Sequence, residues 1–351
     1  MSLYGEGMRI EHKRARLVFH VRDLKLEWAI EPRYWRNPLI AVAGLALFPL
    51  VIMSKPDYLT LLTTANIYAA VAIPLAWQMV GIGRMNFGPQ FFVGVGGFAA
   101  ALLSIHFGWG PWQTLGIVIL LGLAFGLVLS PLTTIAKGLY FSLITLVLPL
   151  IFLEFTYVYT DIFKGETGLS GIAPLVDFSR IRTNYIVSCY FSLGMMLFFL
   201  YIVDKILRSR VGLYAAAIND DEEVAATCGL SINGWKILCF TITSMMIAVT
   251  GWFAAHYYGT FAGVTYLQLP FMVKILLIVM IGGRGELYGS IVGAYFVAFL
   301  EQALKSLGPV HYIVFPLVLL FMLIILREGL YGLYRRHKYR EYYPTIRVRK
   351  R

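Results

Sequence analysis

The chain has 351 residues, of which 59% are hydrophobic and only 14% charged, with a mean hydropathy of +0.72 and a formal net charge of +11. Soluble domains carry about 45–50% apolar and about 25% charged residues, so this balance excludes a soluble enzyme and specifies an all-α polytopic membrane protein. The positive charge does not argue for nucleic acid, because it sits at the two ends of the chain: Arg9, Lys13, Arg14, Arg16, Arg22, Lys25, Arg33 and Arg36 at one, Arg335, Arg336, Lys338, Arg340, Arg347, Arg349, Lys350 and Arg351 at the other.

Residues 1–37 form a basic lead that mixes these cations with Leu, Val, Phe and Trp. It reads either as a helix lying along the inner leaflet or as a solvated arm. The lead is too long for an ordinary signal peptide and no small-residue cleavage site follows it, so the first apolar run is expected to be retained as a span. Residues 38–327 are the expected membrane domain, and 328–351 a basic tail.

A spanning helix needs roughly 20 mostly apolar residues. The candidate runs are Leu39–Met53, Leu59–Val80, Phe91–Phe107, Trp112–Thr134, Leu139–Tyr159, Tyr185–Leu207, Trp235–Tyr258, Leu267–Gly282, Leu287–Leu304 and Val310–Leu326. These make about ten spans, with eight as the lower bound. Positive flanks stay cytoplasmic. Both termini are therefore expected inside, which needs an even number of crossings. Ten crossings place the polar 208–234 loop inside with Lys137 and Arg284, and put the uncharged 108–111 and 259–266 turns outside.

Two glycine-dense stretches punctuate the runs. One is Gly81-Ile-Gly83-Arg84-Met-Asn86-Phe-Gly88, continuing to Gly94, Gly96 and Gly97. The other is Gly282-Gly283-Arg284-Gly285-Glu286-Leu-Tyr-Gly289, continuing to Gly293. Glycine admits close helix approach and permits unwound backbone beside a cavity, so both stretches read either as borders of a translocation path or as ordinary packing. The outer Asp161–Asn184 segment, with Gly165, Gly168, Gly171 and Pro174, is expected to be turn-rich with at most a short helix. It reads as a receiving surface or as a plain connector.

Ionisable groups inside spans are expensive and tend to be functional. Lys274, near the middle of the eighth run, is the sharpest case. It reads either as an attractor for a carboxylate or as the partner of an acid on a neighbouring span. Glu154, Glu301, His106 and His256 lie nearer span ends, within reach of water or headgroups. Cys189, Cys228 and Cys239 imply no disulfide framework.

The most informative segment is the break between two long runs. It reads Arg208-Ser-Arg210-Val-Gly212, then Asp220-Asp221-Glu222-Glu223-Val-Ala225-Ala226, then Gly229. A polar segment between spans projects into water. Asn219 or Asp220 is placed to cap a short helix through Val224–Cys228, acids in its first turn suit the macrodipole, and Gly229 is the expected stop. That is the shape of a docking element for a separate soluble motor. The chain itself carries no phosphate-binding G-x-x-x-x-G-K-[ST] loop, no H-E-x-x-H zinc pair and no G-x-S-x-G nucleophile turn.

These residues resemble one family through most of the chain, roughly Leu59 to Leu326. Gly83-Arg-Met-Asn86-Phe-Gly88-Pro-Gln-Phe-Phe92-Val-Gly94-Val-Gly96-Gly-Phe98 is similar to a G-Q-x-S-x-G-H-x-x-F-x-G-x-G-A-Y stretch. Gly138-Leu-Tyr140-Phe141 with Thr145-Leu146 resembles a G-x-Y-F-x-x-x-T-L span opening. Thr167-Gly168-Leu-Ser-Gly171 resembles an outer turn, Ala255-His256-Tyr257 an A-H-Y element, and Gly282-Gly283-Arg-Gly285 with Gly289, Gly293 and Ala294 a G-G-x-G-x-x-x-G-x-x-x-G-A signature. Ser209-Arg210-Val-Gly212 followed by Ala217-Ile218-Asn-Asp220-Asp221-Glu222 is similar to a cytoplasmic coupling loop. Together these motifs resemble the permease subunits of branched-chain amino acid ATP-binding-cassette importers, of the LivM type.

The resemblance implies a cytoplasmic-membrane subunit that is not itself an enzyme. It implies partners: a second homologous permease, two cytoplasmic ATP-binding subunits and an extracytoplasmic solute-binding protein, with ATP and Mg held by the partners rather than by this chain. It implies alternating access, with Arg210, Gly212, Asp220, Asp221, Glu222, Ala225 and Gly229 coupling to the ATPase. Gly83, Arg84, Asn86, Gly88, Lys274, Gly282, Gly283 and Gly285 are the path candidates. The chain departs from the pattern at Arg84 and Pro89, where the family has glutamine and histidine. It departs again at Leu213, Ala216 and Asn219, where arginines are usual, and at Lys274, where an acid is common. Hydrophobic amino acids are the first expectation for cargo, with urea, short amides or organic anions behind. An ion-driven secondary transporter and a membrane-embedded enzyme or scaffold are the rival classes.

Overall fold

The computed structural model describes residues 16–21, 24–29, 56–136, 138–209, 212, 214–215, 217–218, 222–229, 231–283, 285–325 and 329–331. The chain divides into two units, Met1–Ser54 and Lys55–Arg351. In the first, β1 (Arg16–Val21) and β2 (Leu24–Ala29) pair antiparallel, with Arg16 opposite Ala29 and Val21 opposite Leu24. This corrects the reading of that part of the lead as an interfacial helix. The alternation Leu24-Lys-Leu26-Glu-Trp28, like Leu17, Phe19 and Val21 before it, has the period of two that marks strands. The first expected span, Leu39–Met53, lies outside the described residues.

The second unit is helical. Its principal helices are α1 (Pro56–Ile82), α2 (Pro89–Phe107), α3 (Pro111–Leu129), the short α4 (Leu132–Ile135), α5 (Leu139–Val158), the short α6 (Thr160–Phe163) and α7 (Ile181–Leu207). After the polar break come α8 (Glu222–Thr227), α9 (Ile232–Tyr258), α10 (Gly263–Tyr266), α11 (Leu269–Gly282), α12 (Leu287–Leu304) and α13 (His311–Ile325). Among the described residues nine helical stretches are long and apolar enough to cross a membrane, and they coincide with the remaining nine expected runs. The fold is thus an all-α polytopic membrane protein.

Proline and glycine set the helix ends. Pro89 and Pro111 occupy first turns, where the missing N–H would have no partner anyway. Gly108 and Gly259 close α2 and α9 in the left-handed conformation, at φ 64° and 66°.

α1 is the axis of the unit. Its apolar stretch is 83% buried, against 22% for α3 and its extension. It packs on α7, α9, α11 and α12, while α9 packs on α2 and α3. The α2–α9 crossing brings backbone onto backbone: a Cβ on Gly96 would meet Ala248 O at 1.9 Å, and one on Gly251 would meet Val93 O at 2.1 Å. Without a water-driven hydrophobic force between helices in lipid, such close approach is what holds them together.

The segment between α5 and α7 carries a short helix, as expected, and one feature that was not: β3 (Leu169–Ser170) pairs antiparallel with β4 (Thr260–Phe261). The segment is also tied to the helices. Leu175 N donates to His256 O, Ala173 N donates to Ser104 Oγ, and Ala173 O meets His256 Nδ1 at 2.7 Å.

Candidate functional site

The last turn of α1 leaves carbonyls without intrahelical partners. Trp235, at the start of α9, supplies one donor: its Nε1 reaches Gly81 O at 2.7 Å, and its ring meets Trp77 edge-on at 6.4 Å. The chain then turns through residues 83–88. Gly83 has φ 72°, a region that favours glycine. Arg84 Nη1 donates to Thr133 O and to Ala136 O at 2.5 and 2.7 Å, so this cation neutralises the carbonyl end of α4.

Asn86 is buried and doubly engaged, donating to Gln78 Oε1 at 2.9 Å and accepting from Gly88 N at 2.8 Å. Phe87 N donates to Thr145 Oγ1, and Ser142 Oγ to Met85 O, which fixes the turn against α5. Gly88 lies so close to α5 that an added Cβ would meet Thr145 O at 2.3 Å. The first glycine stretch is therefore a rigid, bonded turn. Close by in sequence, Trp77 Nε1, Gln78 Nε2 and both amide atoms of Gln90 are buried with no hydrogen-bond partner among the described residues.

The second glycine stretch uses its glycines in two ways. Gly282 and Gly289 are close packing: a Cβ on Gly282 would meet Gly289 O at 2.1 Å, and the converse distance is 2.4 Å. Gly283 and Gly285 need glycine for their backbone, at φ 131° and 72°. An added Cβ at Gly285 would meet Val80 Cγ2 at 2.4 Å, so the second stretch presses on the last turns of α1, just before the first stretch begins.

Beside the end of α1 and the first of these turns lies a half-open cavity of about 240 Å³ with an almost wholly apolar lining, exposed at Val273. α1 contributes Leu75 and Met79, the turn Met85 and Asn86, α11 Met280 and α13 Leu323. Of the path candidates, the lining includes Asn86. Sequence reasoning missed the aliphatic and methionine lining, because apolar residues in a membrane chain carry no local mark.

Lys274 is not a free cation. Its Nζ donates to both carboxylate oxygens of Glu301 on α12 at 3.0 Å and to Tyr68 OH on α1 at 3.1 Å. Tyr68 OH in turn lies 3.4 Å from Glu301 Oε2. The Lys274 ammonium also sits 5.1 Å from the centre of the Tyr68 ring and 5.6 Å from that of Phe315 on α13. Of the two readings of Lys274, the pair with an acid on a neighbouring span is the one found. Glu301 accordingly does more than meet water at a span end. Glu154 is exposed, whereas His256 is buried against Thr114 Oγ1 at 2.9 Å.

In the polar break, Arg210, Asp220 and Asp221 lie outside the described residues, as do the expected caps. α8 begins at Glu222. Ala225 is buried, and Gly229 follows the helix at φ 81°, the stop expected of it. Gly212 is packed on the end of α7, where a Cβ would meet Leu207 O at 1.9 Å. Beside it, Arg208 Nε bonds Asp204 Oδ2 at 2.7 Å, and this bond raises the guanidinium pKa further.

Residues 58–326 match the family described as branched-chain amino acid transport system, permease component. The chain belongs to it. Among relatives, it is 24% identical to the ribose import permease protein RbsC of Haemophilus influenzae, over 83% of this chain and 92% of that one. Identity to the high-affinity branched-chain amino acid transport system permease protein LivM of Escherichia coli is 22%, covering 83% and 74%. Identity to the autoinducer 2 import system permease protein LsrC of an Enterobacter species is 26%, covering 86% and 91%. No solved structure matches the chain. The family makes it a multi-pass permease of the ATP-binding-cassette import class, whose members work with ATPase and substrate-binding partners, and the ion-driven and membrane-enzyme readings give way.

Proposed function

We propose that this chain is the permease subunit of an importer for branched-chain and other hydrophobic amino acids, sited in the cytoplasmic membrane with both termini inside. The observation that carries the reading is the apolar cavity beside α1. A buried hydroxyl without a hydrogen-bond partner costs about 2–7 kcal/mol, and a sugar brings several. Burying a Leu or Val side chain instead gains about 1.5–3 kcal/mol. The cavity therefore favours an aliphatic cargo over ribose, fructose or autoinducer 2, the cargoes named for several relatives. An organic anion loses its attraction, since Glu301 already neutralises Lys274.

The partners in this reading are a second homologous permease, two ATP-binding subunits that hold ATP and Mg, and an extracytoplasmic solute-binding protein. Arg210, Gly212, Asp220, Asp221, Glu222, Ala225 and Gly229 form the ATPase contact. Movement of the 208–234 segment then reaches the cavity through the start of α9, because Trp235 grips the end of α1 at Gly81. Trp235→Phe keeps the ring contact and removes that bond. Uptake per ATP hydrolysed should fall at least fivefold while the ATPase still co-purifies, as read by paired uptake and phosphate-release assays.

Cargo is tested on the transporter purified from its own membranes and reconstituted with its partners. Labelled leucine should accumulate in an ATP-dependent way, with valine and isoleucine competing and ribose inert. Uptake of ribose with no leucine uptake would overturn the assignment.

A further inference from the structure

The cavity and the Lys274 cluster are built by the same helices. Tyr68 and Leu75 lie seven residues apart on α1, about 10 Å along the axis, and Phe315 and Leu323 eight apart on α13, about 12 Å. On α11, Lys274 adjoins the cavity residue Val273. On α1 and α13 the cluster residue precedes the cavity residues, and on α11 Lys274 follows only Val273 and precedes Leu276, Leu277, Val279 and Met280, so the charged cluster sits toward one end of the apolar space. With the orientation proposed above, that is its outer end, near mid-membrane. The cluster is not sealed: the side chains of Lys274 and Glu301 each keep 17% of their surface.

This juxtaposition of an ammonium, a carboxylate and an apolar space matches one class of molecule. A free α-amino acid carries a carboxylate, an ammonium and, for the branched-chain members, an aliphatic group. Separating a buried ion pair is unfavourable because each charge is left without a counter-charge. A zwitterion supplies both counter-charges at once, so the exchange leaves the total charge unchanged and both protein charges paired. A sugar supplies neither. An anion or a cation supplies one and strands the other.

We propose that Lys274 and Glu301 determine cargo specificity by partner exchange. The cargo carboxylate takes Lys274, its ammonium takes Glu301, and its side chain enters the near end of the cavity, beside Val273 and Leu277. Tyr68, whose hydroxyl touches both charges, holds the two groups in register. The inference rests on the cargo reading above and adds the residues that enforce it.

The test is direct binding to the purified permease complex without its solute-binding protein, so that receptor selectivity does not enter. Three ligands that share the isobutyl side chain are compared: leucine, 4-methylpentanoate, which lacks the ammonium, and 3-methylbutylamine, which lacks the carboxylate. The unaltered protein should bind leucine at least tenfold more tightly than either analogue. Glu301→Gln should shift the preference at least tenfold toward 4-methylpentanoate, and Lys274→Met equally toward 3-methylbutylamine. The double variant Lys274→Met/Glu301→Gln, with no stranded charge, should fold and lose at least tenfold in leucine affinity. If all variants keep the same ratio among the three ligands, the pair is only a structural clamp and the inference fails. Failure of the unaltered complex to bind leucine, in a transporter that imports it, would also overturn the inference and leave the cargo reading standing. Absence of leucine import would overturn both.

Discussion

Gly251→Val should abolish the assembled permease. The first added carbon alone would lie 2.1 Å from Val93 O, 2.8 Å from its carbonyl carbon and 3.0 Å from Gly97 N. All of these are backbone atoms, which cannot rotate aside, so α2 and α9 must separate. Overpacking usually costs about 1–3 kcal/mol, and a forced backbone shift lies at or above the top of that range. Loss of the monodisperse peak in detergent is the readout. Gly116→Val on α3 is the control, since nothing lies within 4 Å of its Cβ position. Equal loss in both would show that the α2–α9 crossing is not special.

Glu301→Leu should be the most destabilising single change at the charged cluster. It leaves the Lys274 ammonium among Tyr68, Phe315 and apolar helix with no counter-charge. Breaking a buried pair by removing one member costs about 3–5 kcal/mol, and replacing both by apolar groups is often neutral. The residual exposure of the pair places the expected loss at the lower end, about 3 kcal/mol. Lys274→Met/Glu301→Leu should recover most of it, in thermal melts monitored at fixed lipid content. A double variant no more stable than the single one would show that the pair itself, rather than the stranded charge, carries the stability.

The spans were legible because about 20 apolar residues between polar or glycine-rich turns admit one interpretation in lipid. The end of α8 was legible for a local reason, since Gly229 takes the left-handed stop that the sequence asks for. The hairpin was visible in the alternation, but cations mixed with apolar residues are also the mark of an amphipathic surface helix, and the two patterns compete. That Lys274 pairs with an acid on a neighbouring span was one of two readings, but which acid was not legible. The two residues are 27 apart on separate helices, and whether they meet depends on how α11 and α12 rotate against each other. That rotation is set partly by Gly282 meeting Gly289 backbone to backbone. The cavity had no signature at all, because its walls are apolar side chains of the kind that fill every span.

The closed ring of contacts at Lys274 also bears on how the bilayer voltage acts on this machine. A lone charge carried through the field gains or loses about 2.3 kcal/mol for every 100 mV, but two opposite charges moving together couple to it hardly at all. While Lys274 and Glu301 are joined, the electrical gradient has no handle on α11 and α12 at that point.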